Sequence, residues 1–275
     1  MKNMAKLILP AAAFTGAALG GLAFLIAPGS MEKSQRKTFK YKNYAHRGLH
    51  KRSRVIPENS LAAFEAAASY GYGIELDVQL SKDGQVVVFH DDTLNRVCGV
   101  DARVDGLTLA ELRELSLCGT DERIPLFSEL LGTVNGAGAL IVELKTGRRN
   151  TELCEKTLAL LRGYKGEFCI ESFDPRIVAW FRKNAPDIVR GQLSCPPDGY
   201  NGELPAPAAF ILSRTLLNFL ARPQFIAYKL AKKPLAVKLC EALGAMRVCW
   251  TSHDPTGENG NDTVIFEFYE PGLDF

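Results

Sequence analysis

Eight short runs rich in β-branched, aromatic or apolar residues punctuate the chain at residues 43–46, 73–80, 139–145, 168–171, 188–193, 224–228, 246–251 and 263–268. Between several of them, residues 60–70, 126–134, 151–162, 175–184 and 234–243 carry the apolar spacing of amphipathic helices. A parallel strand pair needs a crossover of a dozen or more residues, so this alternation predicts a parallel sheet with helices packed on it. Eight strands in this pattern are expected to close. The fold class is therefore α/β, a TIM-type (β/α)8 barrel of roughly 230 residues with the helices outside.

One further run, residues 85–90, breaks the alternation. Only Lys82-Asp83-Gly84 separates it from the second strand, too little for a crossover. It is expected to fold back as a hairpin arm on a two-residue Asp83-Gly84 turn. With Lys82 opposite Gln85, His90 would then face Asp77. Residues 91–123 follow as a small inserted subdomain over the barrel mouth, with one short helix at 109–115 capped by Thr108 and Glu111.

The chemistry concentrates in two strands. Glu75 and Asp77 are two apart in Gly73-Ile74-Glu75-Leu76-Asp77-Val78, so both carboxylates share one face and the apolar residues the other. Buried carboxylates need a cation, a proton or a basic partner. Taken singly, either one is explained by an ion pair or a cap at a strand end. Glu143, in Glu143-Leu144-Lys145, repeats the pattern, and three hard oxygen donors suit one divalent cation, Mg²⁺ or Ca²⁺.

Two histidines bracket this motif. His46 closes the first strand, and the hairpin brings His90 to the carboxylates; imidazoles titrate near neutrality, so one can accept a proton while the other donates one. Arg47 and Lys145 offer cationic donors for a phosphate, or charge balance for the acids. Of the remaining histidines, His50 is expected at the surface and His253 at a strand end near the mouth. Trp250 is expected to wall a substrate pocket.

Charge excludes one class of partner. Thirty-three basic against thirty-one acidic residues give a net charge of +2, which leaves no footprint for nucleic acid. The seven cysteines lack the spacing of a zinc site or a disulfide framework, and most are expected to be buried thiols in a reducing compartment.

The N-terminus is different. Residues 7–27 are apolar or small and uncharged, about 21 residues, enough to span about 30 Å of hydrocarbon at about 1.5 Å per residue. Residues 1–30 are therefore expected to be a single-pass transmembrane anchor, 31–42 a basic linker and 43–275 the barrel. A cleaved secretory signal is the rival reading, with Lys2 and Lys6 as its basic region. Lys33, Arg36, Lys37, Lys40 and Lys42 outnumber Lys2 and Lys6, which puts the barrel on the cytoplasmic side; an exported orientation is the alternative.

From residue 43 onward the chain resembles the glycerophosphodiester phosphodiesterases. The resemblance rests on Ala45-His46-Arg47-Gly48, Pro57-Glu58-Asn59-Ser60, Ile74-Glu75-Leu76-Asp77-Val78, Phe89-His90-Asp91, Val142-Glu143-Leu144-Lys145 and Val248-Cys249-Trp250-Thr251, in that order. It implies a TIM barrel with a small insertion, a divalent cation on Glu75, Asp77 and Glu143, His46 and His90 as general base and acid, and phosphate contacts from Arg47 and Lys145. Asn59 or Ser60 is expected to cap the first helix, with Glu58 near the metal as a second option. The chain departs from the family at Ser252-His253 and in Phe266-Glu267-Phe268-Tyr269-Glu270-Pro271, and its short 254–262 stretch is expected to lack a helix.

The implied activity is hydrolysis of glycerophosphodiesters to glycerol 3-phosphate and an alcohol. A lysophospholipase D acting on membrane lysolipids is the alternative within enzymes, favoured by apolar residues at 210–225, which equally suit a core helix. A catalytically silent membrane-tethered barrel serving as a scaffold is the alternative outside them.

Overall fold

The computed structural model describes residues 19–275. Among these, nine strands form one sheet: β1 (Lys42–Ala45), β2 (Gly73–Leu80), β3 (Val86–Val88), β4 (Leu140–Leu144), β5 (Phe168–Ser172), β6 (Arg190–Ser194), β7 (Phe225–Lys229), β8 (Met246–Ser252) and β9 (Thr263–Phe266). The order is β1-β9-β8-β7-β6-β5-β4-β2-β3, and β1 also pairs with β2. That last pairing closes a ring of eight parallel strands, with β3 outside it and antiparallel to β2. The closed α/β barrel anticipated from the alternation is present.

The outer helices begin where side chains supply the backbone hydrogen bonds that a helix start lacks. Helix α1 spans Lys33–Phe39, and α2, Leu61–Tyr70, opens on Ser60, whose hydroxyl accepts from Ala63 N at 3.1 Å. Next come α3 (Asn95–Cys98), α4 (Leu109–Arg113), α5 (Phe127–Val134), α6 (Asn150–Gly163) and α7 (Pro175–Asn184). The last of these has Asp174 at its N-cap and proline in the first turn, the position where a missing N–H costs nothing. Then follow α8 (Ala206–Ser213), α9 (Asn218–Ala221) and α10 (Leu235–Ala242).

Strand alternation sends one set of side chains into the barrel. Tyr44, Ile141, Cys169, Val189, Phe225, Met246, Val248 and Ile265 form its apolar interior, and the opposite faces pack under the helices. Two inward positions are glycine for lack of space: a Cβ at Gly73 would stand 2.4 Å from the Tyr44 ring, and one at Gly191 2.0 Å from the Phe225 ring. The large aromatics fill the volume that the glycines leave.

The hairpin forms in a different register from the one expected. Val78 pairs with Val88 and Leu80 with Val86, so Phe89, not His90, falls opposite Asp77, and its N–H donates to Asp77 O at 3.1 Å. The turn has three residues rather than two. Gly84 N donates to Ser81 O at 3.0 Å, and Gly84 then takes a left-handed φ of +76°, the geometry of a three-residue loop. One extra loop residue shifts the pairing by one and swaps faces. His90 therefore leaves the strand and sits in the bend beyond it.

Residues 91–123 hold more structure than one helix. Besides α4, with its Thr108–Glu111 capping box, they contain α3 and a 3₁₀ turn at Val104–Gly106. Phe89, Leu94, Val97, Val104, Leu112, Leu117 and Ile124 form a separate apolar cluster beneath them. Between β8 and β9 only a 3₁₀ turn, Pro255–Glu258, occurs, so the helix expected to be absent there is absent.

Segment 31–42, expected as a basic linker, is helical over Lys33–Phe39. Helix α1 lies across the strand entrances: Gln35 Nε2 donates to Asp187 O, Arg36 to Gly244 O, and Phe39 is buried. These contacts turn a basic run into a clasp on the closed end of the barrel. The expected membrane span 7–27 falls mostly on residues outside the described ones. No helix among the described residues is long and apolar enough to cross a membrane. Its last turns, residues 19–26, are helical and dock on the barrel flank: Ile26 is buried against Ile226, Tyr228 and Val237, while Asn218 and Arg222 donate to the carbonyls of Ile26 and Ala27.

Candidate active site

Glu75 and Asp77 project inward from β2 by strand alternation, and Glu143 does so from β4, whose register sets it directly beside Asp77. All three are buried, and each offers a carboxylate oxygen within 4.8 Å of the others. Burial, with Asp77 and Glu143 as neighbours, pushes the Glu75 carboxyl well above its usual range. Glu143 is raised too, by burial, although Lys145 opposes it. Burial acts on Asp77 as well, but the charges of His90, Lys145 and Arg47 and a hydrogen bond from Asn59 outweigh it and hold this carboxyl low. Three buried acids, two of them with raised carboxyls, make a site in want of positive charge.

Arg47 and Lys145 answer part of that charge. The Arg47 guanidinium holds Glu58 at 2.6 Å and approaches Asp77 at 3.5 Å, and its backbone N donates to Glu75 Oε2 at 3.0 Å. Its Nε is buried without a hydrogen-bond acceptor. Lys145 Nζ reaches Glu143 at 2.9 Å and Asp77 at 3.4 Å. Glu58 does not join the acid cluster: it bridges Arg47 to Arg96, which donates to it at 2.6 and 2.7 Å. Burial raises the Glu58 carboxyl, but these two guanidinia win and bring it to about 2.

His46 Nε2 lies 3.8 Å from Glu75 Oε2, and its Nδ1 lies 2.8 Å from Glu267 Oε2. Burial, aided by the Arg47 charge, lowers this imidazole to about 4 against the pull of Glu267. His90 Nδ1 lies 2.6 Å from Asp91 Oδ1, and the field of His90 reaches Asp77 and Glu143. Both histidines thus border the acid cluster, each with a carboxylate behind its Nδ1. The expected path for His90 was a cross-strand pair; the observed one is the bend after β3.

Two other histidines gather around the same Glu267. His50, expected at the surface, has a side chain only 8% exposed, closed in between Glu267 at 3.8 Å and the Phe268 ring at 4.9 Å. The return of the chain after β9 covers it. His253 stands at the mouth, 57% exposed and stacked on Phe268. Trp250 is half-buried, its Nε1 donating to Ala227 O at 3.1 Å and its ring edge-on to Phe173 at 5.6 Å.

Three polar residues in the site had no expected role there. Asn59 does not cap α2; its Nδ2 donates to Asp77 Oδ2 at 2.8 Å. Glu171 is the inward residue of β5 opposite Glu143, buried, with Oε2 lacking a hydrogen-bond partner. Its carboxyl is raised well above its usual range by burial, then by Glu143 and Asp77. Glu267 is inward on the same alternation as Ile265 of β9. Strand parity carried the signal for Glu171 and Glu267, whereas Asn59 lies on a loop that parity does not reach.

The donor set fits a divalent cation. Glu75, Asp77 and Glu143 are hard oxygen ligands that converge within 4.8 Å and would supply part of such an ion's shell, and Asp77 Oδ1 is buried with no hydrogen bond of its own. Beside the cluster stand the Arg47 guanidinium and two imidazoles, a combination suited to an anion with labile protons on either side.

The chain matches the glycerophosphoryl diester phosphodiesterase family over residues 46–268. It is 35% identical over 161 residues to a glycerophosphodiester phosphodiesterase of Caldanaerobacter subterraneus, a stretch covering 54% of this chain and 65% of that one. A glycerophosphodiester phosphodiesterase of Bacillus altitudinis is 34% identical over 181 residues, 60% of this chain and 73% of that one. The solved structure of an Oleispira antarctica phosphodiesterase in complex with the product sn-glycerol-3-phosphate superimposes with a TM-score of 0.69 at 25% identity, covering 84% of this chain and 94% of that one. The matched stretch spans about two thirds of the length of the first of these relatives. With the family pattern running from His46 to Phe268 and its barrel closed around the acid cluster, this protein belongs to the glycerophosphoryl diester phosphodiesterase family.

Proposed function

We infer that the chain hydrolyses glycerophosphodiesters to glycerol 3-phosphate and an alcohol at the mouth of its barrel. The observation that carries this reading is the buried Glu75–Asp77–Glu143 cluster with His46 and His90 at its border. A cation of the Mg²⁺ or Ca²⁺ type held by these three carboxylates would neutralise the phosphodiester and stabilise charge developing at phosphorus.

The chain's own residues supply the rest. Arg47 and Lys145 bind the non-bridging oxygens through their cationic heads, which stand beside Asp77. His46 is kept neutral by burial, and with its Nδ1 hydrogen on Glu267, Nε2 is left with the lone pair that takes a proton from the attacking oxygen. His90, backed by Asp91, gives a proton to the departing alcohol. Trp250 and Phe173 wall the space where that alcohol lies.

The membrane tether belongs to the same proposal. The uncharged run 7–27 supports it, as does the exposure of Leu19 and Phe24 beside the docked Ile26. The basic residues from Lys33 to Lys42 favour a cytoplasmic barrel; protease protection of the barrel in sealed vesicles tests this orientation.

Turnover of glycerophosphocholine by the purified protein with Mg²⁺ or Ca²⁺ tests the activity. Loss of turnover on chelation and in His90→Ala is expected; turnover that survives both overturns the scheme. Rates on lysolipid micelles measured alongside separate the lysophospholipase D reading, and no turnover of either substrate class leaves the scaffold reading.

A further inference from the structure

The C-terminal rim of the barrel divides into two unlike halves. On β9, β1 and β4 the inward residues just beyond the strand ends are Glu267, His46 and Lys145, and β2 contributes Asp77 from within its length, the polar groups described above. On β5, β6, β7 and β8 they are Phe173, Cys195, Lys229 and Trp250. This second half is apolar apart from one cation.

Lys229 shares the inward parity of Phe225 and Ala227 and pairs in register with Trp250. It is exposed at the mouth, and its Nζ stands 5.9 Å from the centre of the Trp250 ring. Lys145 is matched by Glu143 and Asp77, and Arg47 by Glu58. Lys229 has no carboxylate within ion-pair distance among the described residues. Asp198 and Lys229 both act on the Cys195 thiol, with opposite sign. The indole is itself fixed by its bond to Ala227 O.

The geometry points to Lys229 and Trp250 as the subsite for the alcohol half of the diester, selecting alcohols that carry a negative charge of their own over those that carry a positive one. This rests on the phosphodiesterase reading and adds to it the class of substrate. An aromatic face alone would welcome a quaternary ammonium. Here an ammonium already lies against that face, so a cationic headgroup meets repulsion and an anionic one gains a partner. Two unit charges about 7 Å apart at an effective dielectric between about 20 and 80 change binding by roughly threefold to fiftyfold.

Three diesters that differ in the alcohol provide the test: glycerophosphoinositol 4-phosphate, glycerophosphoglycerol and glycerophosphocholine. Binding of each to Mg²⁺-loaded His90→Ala protein is measured by calorimetry, and turnover of each by the unaltered enzyme. The anionic diester is expected to bind at least about tenfold more tightly than the cationic one and to exceed it at least about tenfold in kcat/KM, with the neutral one between. The ratio should shrink toward one in Lys229→Gln, invert in Lys229→Glu, persist in Lys229→Arg, and fall as salt is raised. Since the readout is a ratio between substrates, a general loss of folded protein cancels.

A ratio near one in the unaltered enzyme, or a tenfold ratio unchanged in Lys229→Gln, overturns the assignment while leaving the phosphodiesterase reading intact. Binding in the expected order without turnover of any diester upholds the subsite and removes the hydrolytic reading instead. No measurable binding of any of the three overturns both.

Discussion

Glu267 Oε2 lies 2.8 Å from His46 Nδ1, with the carboxylate just beyond β9 and the imidazole just beyond β1, neighbouring strands in the barrel. The pair fixes which ring nitrogen faces the acid cluster. Because Glu267 acts on the ring and not on substrate, its loss should fall on the chemical step. Glu267→Ala is expected to lower kcat about 10- to 100-fold with KM within threefold, whereas Glu267→Gln, which still offers an oxygen to Nδ1, should keep most of the rate. A rise in KM with kcat unchanged would assign Glu267 to binding.

The acid cluster predicts an inversion of stability with metal. Glu75 has its carboxyl raised by burial and by Asp77 and Glu143, so ionising it destabilises the metal-free fold once the pH exceeds its usual value near 4.5. Glu75→Gln removes that charge while keeping an oxygen for the Arg47 N–H. With a chelator at pH 7.5, this variant should melt above the unaltered protein, by about 1–2 kcal/mol of added stability. With millimolar Mg²⁺ the order should reverse, and turnover should be lost. Paired thermal melts with and without chelator check both halves.

The parts of this molecule that follow strand periodicity could be read before any coordinates. The eight barrel strands and the inward aim of Glu75, Asp77 and Glu143 follow from a period of two. The departures occur where one residue changes the answer or where the backbone leaves a strand. A third loop residue, with Gly84 in a left-handed conformation, moved the hairpin register and took His90 out of the ladder. Asn59 reaches Asp77 from a loop at φ +54°, a conformation that no periodic pattern announces. Glu171 and Glu267 had the right parity, yet neither sits in a motif that sets it apart from an ordinary strand-end acid. The charge of segment 31–42 points to a solvated linker, whereas the burial of Phe39 holds Lys33–Phe39 as a helix against the barrel.

The Glu58 bridge between Arg47 and Arg96 predicts an acid-labile stability term. Burial raises this carboxyl, but the two guanidinia hold it at about 2, below its usual 4.5. A depressed carboxyl contributes stability that is fully present above pH 4.5 and is lost as pH falls from 4.5 to 2. The shift corresponds to about 3 kcal/mol, reduced to about 2 because Arg96 is partly exposed to solvent. Urea titrations between pH 2 and 7 should show a slope in this window that Glu58→Gln flattens. Unaltered slopes would mean that the bridge contributes nothing.

Gly48 predicts where the site is mechanically fixed. It holds φ +80°, and a Cβ there would stand 2.8 Å from the carbonyl carbon and from the Cβ of Ala63 in α2. Neither neighbour can swing away, since Ala63 N is tied to the Ser60 cap and Leu49 N donates to Ala63 O at 2.9 Å. Gly48→Ala therefore adds left-handed strain of about 1 kcal/mol to a backbone clash costing about 1–3 kcal/mol. The loop can relieve the clash only by moving residues 46–48 outward, which carries His46 and Arg47 away from Glu75. Loss of stability by about 2–4 kcal/mol together with a fall in kcat/KM of at least 100-fold is expected. Gly84→Ala is the matched control: its φ is +76°, but the new Cβ meets the flexible ends of Lys156, Glu152 and Arg149, so about 1 kcal/mol of stability should go with activity kept. Equal activity losses in the two variants would show that strain anywhere in the barrel, and not displacement of His46 and Arg47, accounts for the effect at Gly48.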